Sequence, residues 1–395
     1  MEGDFITIRK SLLPLSWIYG FAVGFRNTLF EMGVLKSRSF TVPVISVGNI
    51  TVGGTGKTPH VEYLTRLLKD KAHTAILSRG YKRKSHGFIL ATKDTPMQDI
   101  GDEPYQMKQK FPEVEVAVDK KRTRGIKKLI EDNLTTEKVD VILLDDAFQH
   151  RYVKPGISIL LVDYHRQIIY DELLPAGRMR EPLKAKDRAD IVIITKCPKD
   201  LKPMEFRVLT KQMKLFPYQQ LYFTTLDYDA LEPIFKMDNM ESPGTIESLG
   251  NKNILLLTGI ASPEQLIHDL EPHTSQITPL TFGDHHNFKG KDILRINEVF
   301  AALPSPKLII TTEKDSVRLK GVEGLSEEVK NALYVLPLKI SFIFDEDREK
   351  FKNRIIGYVR KNSRNSILAK SKDEDKPKDS DHSGNRPRTI SFRNS

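Results

Sequence analysis

Cysteine occurs once in 395 residues, at Cys197. A lone thiol excludes an internal disulfide framework and a Cys-rich zinc module, and it suits a reducing compartment. No uncharged apolar run reaches the ~18 residues that a bilayer-spanning helix needs, which excludes a polytopic membrane protein. No repeat of fixed period is present. No small-residue cleavage site follows the N-terminal apolar stretch, so a cleaved signal peptide is not expected. Acidic charge is in deficit: 52 Asp and Glu against 62 Lys and Arg leave a net +10. That balance suits an anionic partner such as nucleic acid, a phosphorylated metabolite or an anionic membrane face. The cations are spread along the chain without a recognisable nucleic-acid-binding module, so nucleic acid is not an expected partner.

What is present divides into segments. Residues 1–36 hold a stretch without charge between Lys10 and Arg26, rich in Leu12, Leu13, Leu15, Trp17, Ile18, Tyr19, Phe21, Val23 and Phe25. With cations at its flanks this reads as a helix lying in a membrane interface, against the plainer alternative of a helix packed on the protein's own core. Residues 37–221 alternate short apolar runs (VPVISVGN, AILSRG, VEVAV, DVILLDD, ISILLVD, DIVIITK) with helical or irregular stretches, the pattern of a parallel sheet covered on both faces. A weakly patterned stretch, 222–250, is the expected hinge or linker. A second, smaller α/β unit is expected over 251–360, with NILLLTGI, ITPLTFGD, KLIITTEKD and LYVLPLKISF as its strands. Residues 361–395 are polar and read as a disordered tail. The fold class predicted is α/β: a doubly wound α/β/α sheet of the P-loop NTPase type, with a second, smaller α/β domain and the N-terminal interfacial helix.

GNITVGGTGKTP (48–59) follows a predicted strand and opens a predicted helix, the context a phosphate-binding loop requires. Thr51, Val52, Gly53, Gly54, Thr55, Gly56, Lys57 and Thr58 form the candidate nucleotide cradle. Its glycines let backbone N–H groups point at phosphate oxygens, Lys57 reaches the β- and γ-phosphates, and the Thr58 hydroxyl is a Mg²⁺ ligand. The usual first glycine of the motif falls at Thr51, so Gly48 and Gly53 are left to supply the turn. VILLDDAFQH (141–150) ends an apolar strand in two carboxylates, and Asp145 or Asp146 is the expected Mg²⁺ ligand.

The DxxG and NKxD signatures of a GTP switch are absent at the spacings that would need them, which favours ATP. A kinase further requires an acid or base near its acceptor and cations for its substrate. The candidates are Asp102 and Glu103 in GDEPYQM, Asp284, His285 and His286 in FGDHHNF, and Arg178 and Arg180 in LLPAGRMREPL. A function of another class fits the two nucleotide motifs equally well: an ATPase that drives a partner protein and has no small-molecule acceptor. It leaves the arginine and histidine segments unexplained.

Taken together, VGNITVGGTGKTP, LSRGYKRKSHGF, GDEP, LLDDAFQHR, LLPAGRMREPL, FGDHHNF and ITTEKDSVRL resemble, in order, the landmarks of the tetraacyldisaccharide 4′-kinases, the lipid A 4′-kinases of Gram-negative bacteria. Ala147 stands where the family's DDGFQH carries glycine. The resemblance implies transfer of the ATP γ-phosphoryl group to the 4′-hydroxyl of a tetraacylated glucosamine disaccharide 1-phosphate. It also implies two α/β/α domains joined by a two-stranded hinge, and an N-terminal helix on the cytoplasmic face of the inner membrane. Carried onto this chain, it assigns the catalytic dyad to Asp102 and His285, with His286 the less favoured histidine. Lys57 is a third catalytic residue, and Arg180, Gln149 and His150 are substrate contacts. ATP and Mg²⁺ are the implied cofactors. The acylated disaccharide and an anionic membrane surface are the implied partners, with no obligate protein partner.

Overall fold

A computed structural model of the chain describes residues 6–131, 138–235, 243–260, 263–283 and 286–363. Residues 364–395 of the expected polar tail and two members of the FGDHHNF segment, Asp284 and His285, lie outside the described residues, whereas residues 361 and 362, also assigned to that tail, end a helix.

Strands β1 (Val44–Gly48), β2 (Thr74–Ser78), β3 (Ile89–Leu90), β4 (Glu115–Val118), β5 (Val141–Asp145), β6 (Ile157–Asp163), β7 (Ile191–Thr195), β8 (Gln220–Tyr228) and β14 (Leu338–Phe342) form one sheet. Their order is β14-β8-β7-β6-β1-β5-β2-β4-β3. All neighbours are parallel except the two edges, where β3 runs against β4 and β14 against β8. Every residue of β1, β2, β5, β6 and β7 is buried. Continuous Val/Ile/Leu runs are what a parallel sheet covered on both faces demands.

The second sheet holds β9 (Glu232–Pro233), β10 (Asn253–Thr258), β11 (Gln276–Thr281), β12 (Lys307–Thr312) and β13 (Leu333–Leu336), in the order β11-β10-β12-β13-β9. The helices are α1 (Leu13–Glu31), α2 (Lys57–Leu68), α3 (Met97–Ile100), α4 (Asp102–Lys110), α5 (Arg122–Ile130) and α6 (Pro203–Met213), then α7 (Glu264–Leu270), α8 (Gly290–Ala302), α9 (Glu313–Lys320), α10 (Glu327–Ala332) and α11 (Asp345–Asn362). A large parallel sheet and a smaller α/β unit are therefore both present, as the apolar runs predicted.

The limits of the units differ from the sequence reading. LYVLPLKISF is not one strand. It breaks at Pro337, which has no N–H for a ladder, into β13 in the small sheet and β14 in the large one. Helix α11 follows β14 and buries Phe351, Ile355 and Val359 in the core of the large sheet. Residues 338–360 thus pack on the first unit rather than the second. The expected hinge at 222–250 is likewise occupied in part by β8. The chain passes between the two sheets after Tyr228, at the end of β8, and before Leu338, at the start of β14, and these two residues pair with one another at the edge of the large sheet.

Helix α1 turns Ser16, Asn27 and Phe30 inward. It leaves Leu15, Ile18 and Phe25 exposed, with Trp17 70% and Phe21 76% accessible. Among the described residues no helix is long and apolar enough to cross a membrane.

Candidate functional site

The site lies at the carboxyl ends of β1 and β5, the central strands of the large sheet. Gly48 closes β1. A Cβ there would stand 2.8 Å from Phe148 Cβ and 2.9 Å from its backbone nitrogen, so only glycine lets the turn after β5 lie against the loop after β1. Gly53 and Gly56 have φ of +113° and +78°. These values favour glycine and let the backbone curl before α2 begins at Lys57. Both glycines that the sequence reading chose for the turn, Gly48 and Gly53, have geometric reasons to be glycine.

The loop is braced from three sides. Asn49 Nδ2 donates to Thr55 Oγ1 at 2.9 Å. Thr195 Oγ1, at the end of β7, donates to the Thr55 carbonyl at 3.1 Å. The LLPAGRMREPL segment lies antiparallel to it, with Val52 N donating to Arg178 O (2.8 Å) and Arg180 N to Ile50 O (2.7 Å). His60, buried in the first turn of α2, sets Nδ1 2.7 Å from the Gly56 carbonyl and Nε2 3.1 Å from Thr224 Oγ1. Burial pushes its pKa down to about 4, so it sits neutral in this frame.

Four charged side chains meet beside the loop. Lys57 Nζ is 3.6 Å from Asp146 Oδ1, and Arg180 Nη1 is 3.4 Å from Asp146 Oδ2. Asp146 has φ +45°, a left-handed conformation uncommon for a residue with a Cβ. Burial alone would raise the Asp146 carboxyl, but the Lys57 and Arg180 cations outweigh it and hold the group below the ordinary carboxylate range. Asp145 behaves oppositely. Burial, then the Glu103 and Asp146 charges, push it up to about 7. Ser78 Oγ donates to Asp145 Oδ2 at 3.1 Å, whereas Asp145 Oδ1 is buried with no hydrogen-bond partner. The orphaned buried oxygen of Asp145, followed in the chain by the Asp146 carboxylate, offers hard oxygen donors that fit a Mg²⁺ ion.

The model of the tetraacyldisaccharide-1-P 4′-kinase family matches residues 8–360. The chain belongs to that family. Relatives named tetraacyldisaccharide 4′-kinase include one from Phocaeicola vulgatus, 59% identical over 93% of this chain and 99% of its own length. Another, from Bacteroides thetaiotaomicron, is 52% identical over 93% of this chain and 98% of its own. A crystal structure of LpxK from Aquifex aeolicus in complex with ATP shares 31% identity, with a TM-score of 0.67, over 88% of this chain and 99% of that one.

Of the residues expected from the resemblance to this kinase family, the structure brings Lys57, Asp146 and Arg180 into one cluster, with Asp145 next in the chain. Gln149 is half-buried, and its Nε2 donates to the Asn49 carbonyl at 2.5 Å, fastening the loop to the turn after β5. His150 is half-buried, and burial with the Arg122, Arg26 and Arg79 cations lowers it to about 4. Asp102 opens α4, where its carboxylate pairs with Arg318. His286 Nε2 lies 2.9 Å from Asp292 Oδ2, and its ring stacks on Phe282.

Several contributors carry no sequence signal. Ser78 is one hydroxyl among many. Arg122, which is buried and donates to the Asp145 carbonyl at 3.0 Å, is one cation in the run KKRTR. Arg318 was legible only as part of ITTEKDSVRL, without a role.

Proposed function

We propose that the protein is an ATP-dependent kinase that phosphorylates the 4′-hydroxyl of a tetraacylated glucosamine disaccharide 1-phosphate at a membrane surface. The kinase activity follows from the family. The single observation that carries the reading at the level of the site is the Lys57–Asp146–Arg180 cluster beside a glycine-curled loop at the carboxyl edge of a parallel sheet.

The acceptor oxygen attacks the γ-phosphorus, the bond from that phosphorus to the β,γ-bridging oxygen breaks, and ADP leaves. Asp102 takes the hydroxyl proton, with His285 its partner from the second unit. Such transfer is mainly positioning and charge neutralisation. Lys57 and Arg180 supply fixed positive charge, and loop N–H groups from Thr51 to Thr58 hold the phosphates. Thr58, Asp145 and Asp146 are the groups that would hold Mg²⁺, which when bound neutralises phosphate charge. Gln149 and His150 line the same turn and complete the acceptor side.

The exposed face of α1 supports placement at the interface. Leu15, Trp17, Ile18, Phe21 and Phe25 form an apolar surface flanked by Arg9, Lys10 and Arg26. This is the composition of a helix lying in an anionic headgroup layer. We assign it to the cytoplasmic face of the inner membrane, where ATP is available and a lone reduced cysteine is at home.

The test is ATP turnover with and without the acceptor lipid. Turnover that depends on the acceptor is expected. Turnover indifferent to lipid and stimulated by a protein would replace this reading with an ATPase that drives a partner.

A further inference from the structure

Helices α4 and α9 belong to different units and face one another through three ion pairs. Asp102 pairs with Arg318 and Lys110 with Glu313. Lys314 Nζ is 3.2 Å from Glu103 Oε1. Both acids of the GDEP segment are thus engaged by cations of the second unit.

Arg318 differs from an ordinary surface cation. Its side chain is 4% exposed, and its Nη1 donates to Asp315 Oδ1 at 3.1 Å. Asp315 is fully buried. Its Oδ2 accepts from Gly259 N at 2.8 Å and from Thr312 Oγ1 at 2.7 Å. The guanidinium is therefore held rigid within the second unit before it meets Asp102. An exposed pair contributes little because two long side chains must be ordered to form it. Here one partner is already ordered.

We propose that Arg318 is a positioning residue for Asp102: the second unit, through Asp315 and Arg318, fixes the plane of the carboxylate that receives the acceptor proton. The inference rests on the reading of Asp102 as that proton acceptor. Binding one carboxylate oxygen to a rigid guanidinium sets the direction of the other oxygen. Small misplacement of a reacting group is costly in rate. Contact between the two units and alignment of the acid are thereby coupled, because the residue that aligns the acid is supplied by the second unit on α9.

The experiment measures phosphoryl transfer by Asp102→Asn, Arg318→Gln, Arg318→Lys and the Asp102→Asn/Arg318→Gln double variant of the full chain. Thermal melting of each is the control for folding. Arg318→Gln should lower kcat by about tenfold or more while leaving the ATP KM within about twofold, and Arg318→Lys should recover part of the loss. On the Asp102→Asn background the residual rate should be nearly indifferent to Arg318→Gln. An equal loss on both backgrounds, or full kcat in a folded Arg318→Gln protein, overturns the positioning role. If the Gln variant does not fold, unchanged kcat in the Lys variant with an unaltered Asp102 dependence overturns it as well. An active Asp102→Asn protein instead removes the role of Asp102 itself, so the two failures are distinguishable.

Discussion

The Tyr19 hydroxyl donates to the Arg180 carbonyl at 2.8 Å. One side of α1 therefore holds the segment that sends Arg180 toward Asp146, while its other side is bare and apolar. Neighbouring bonds tie the same helix down: Ser16 Oγ donates to Leu173 O at 2.9 Å, and Arg26 Nη2 to Gln149 O at 3.2 Å. Tyr19→Phe deletes one such bond, worth about 0.5–1.5 kcal/mol. We expect a small drop in melting temperature and a severalfold loss of turnover with unchanged vesicle binding. Unaltered turnover would mean that the helix and the site are independent.

The outer face predicts a complementary result. Trp17→Ser combined with Phe21→Ser removes two large exposed apolar side chains, each worth roughly 1.5–3 kcal/mol when buried. Sedimentation with anionic vesicles should fall by more than about tenfold, while nucleotide binding stays intact. Unchanged partitioning would contradict an interfacial role for this face.

Asp102→Asn should reduce turnover by roughly 10²–10⁴-fold, the usual worth of a general base, with the ATP affinity nearly kept. A loss confined to affinity would make Asp102 a binding residue.

Much of this was legible in the sequence, for physical reasons. GGTGKT places glycine at Gly53 and Gly56, whose positive φ other residues rarely adopt, and buried parallel strands must be continuously apolar. LYVLPLKISF misled because an apolar run records burial, not which sheet buries it, and only Pro337 marked the crossing. The α4–α9 pairs were hidden because Asp102 and Arg318 are 216 residues apart. Nothing in the local sequence distinguishes a charge aimed across units from a solvated one.

The pH dependence has two parts of opposite sign. His60 is depressed to about 4 by burial, so the unfolded chain binds its proton more readily. The stability that its neutral form provides is present above ~6.5 and is lost as pH falls toward about 4. Asp145 is raised to about 7, chiefly by burial, so the folded chain binds its proton more readily. Stability without nucleotide therefore falls as pH rises from ~4 through about 7. Asp145→Asn should raise the melting temperature at pH 8 by a few degrees, have little effect at pH 4, and abolish Mg²⁺-dependent turnover. Melting curves across this range check both signs.

The phosphoryl transfer is measured most directly as movement of labelled γ-phosphate from ATP to tetraacyl disaccharide 1-phosphate in detergent micelles, with a folded Lys57→Ala protein as control. The intact protein should make a bis-phosphorylated lipid, reduced about a hundredfold or more by Lys57→Ala. No labelled lipid from a preparation that still hydrolyses ATP, or equal product from the Lys57→Ala protein, would contradict this expectation.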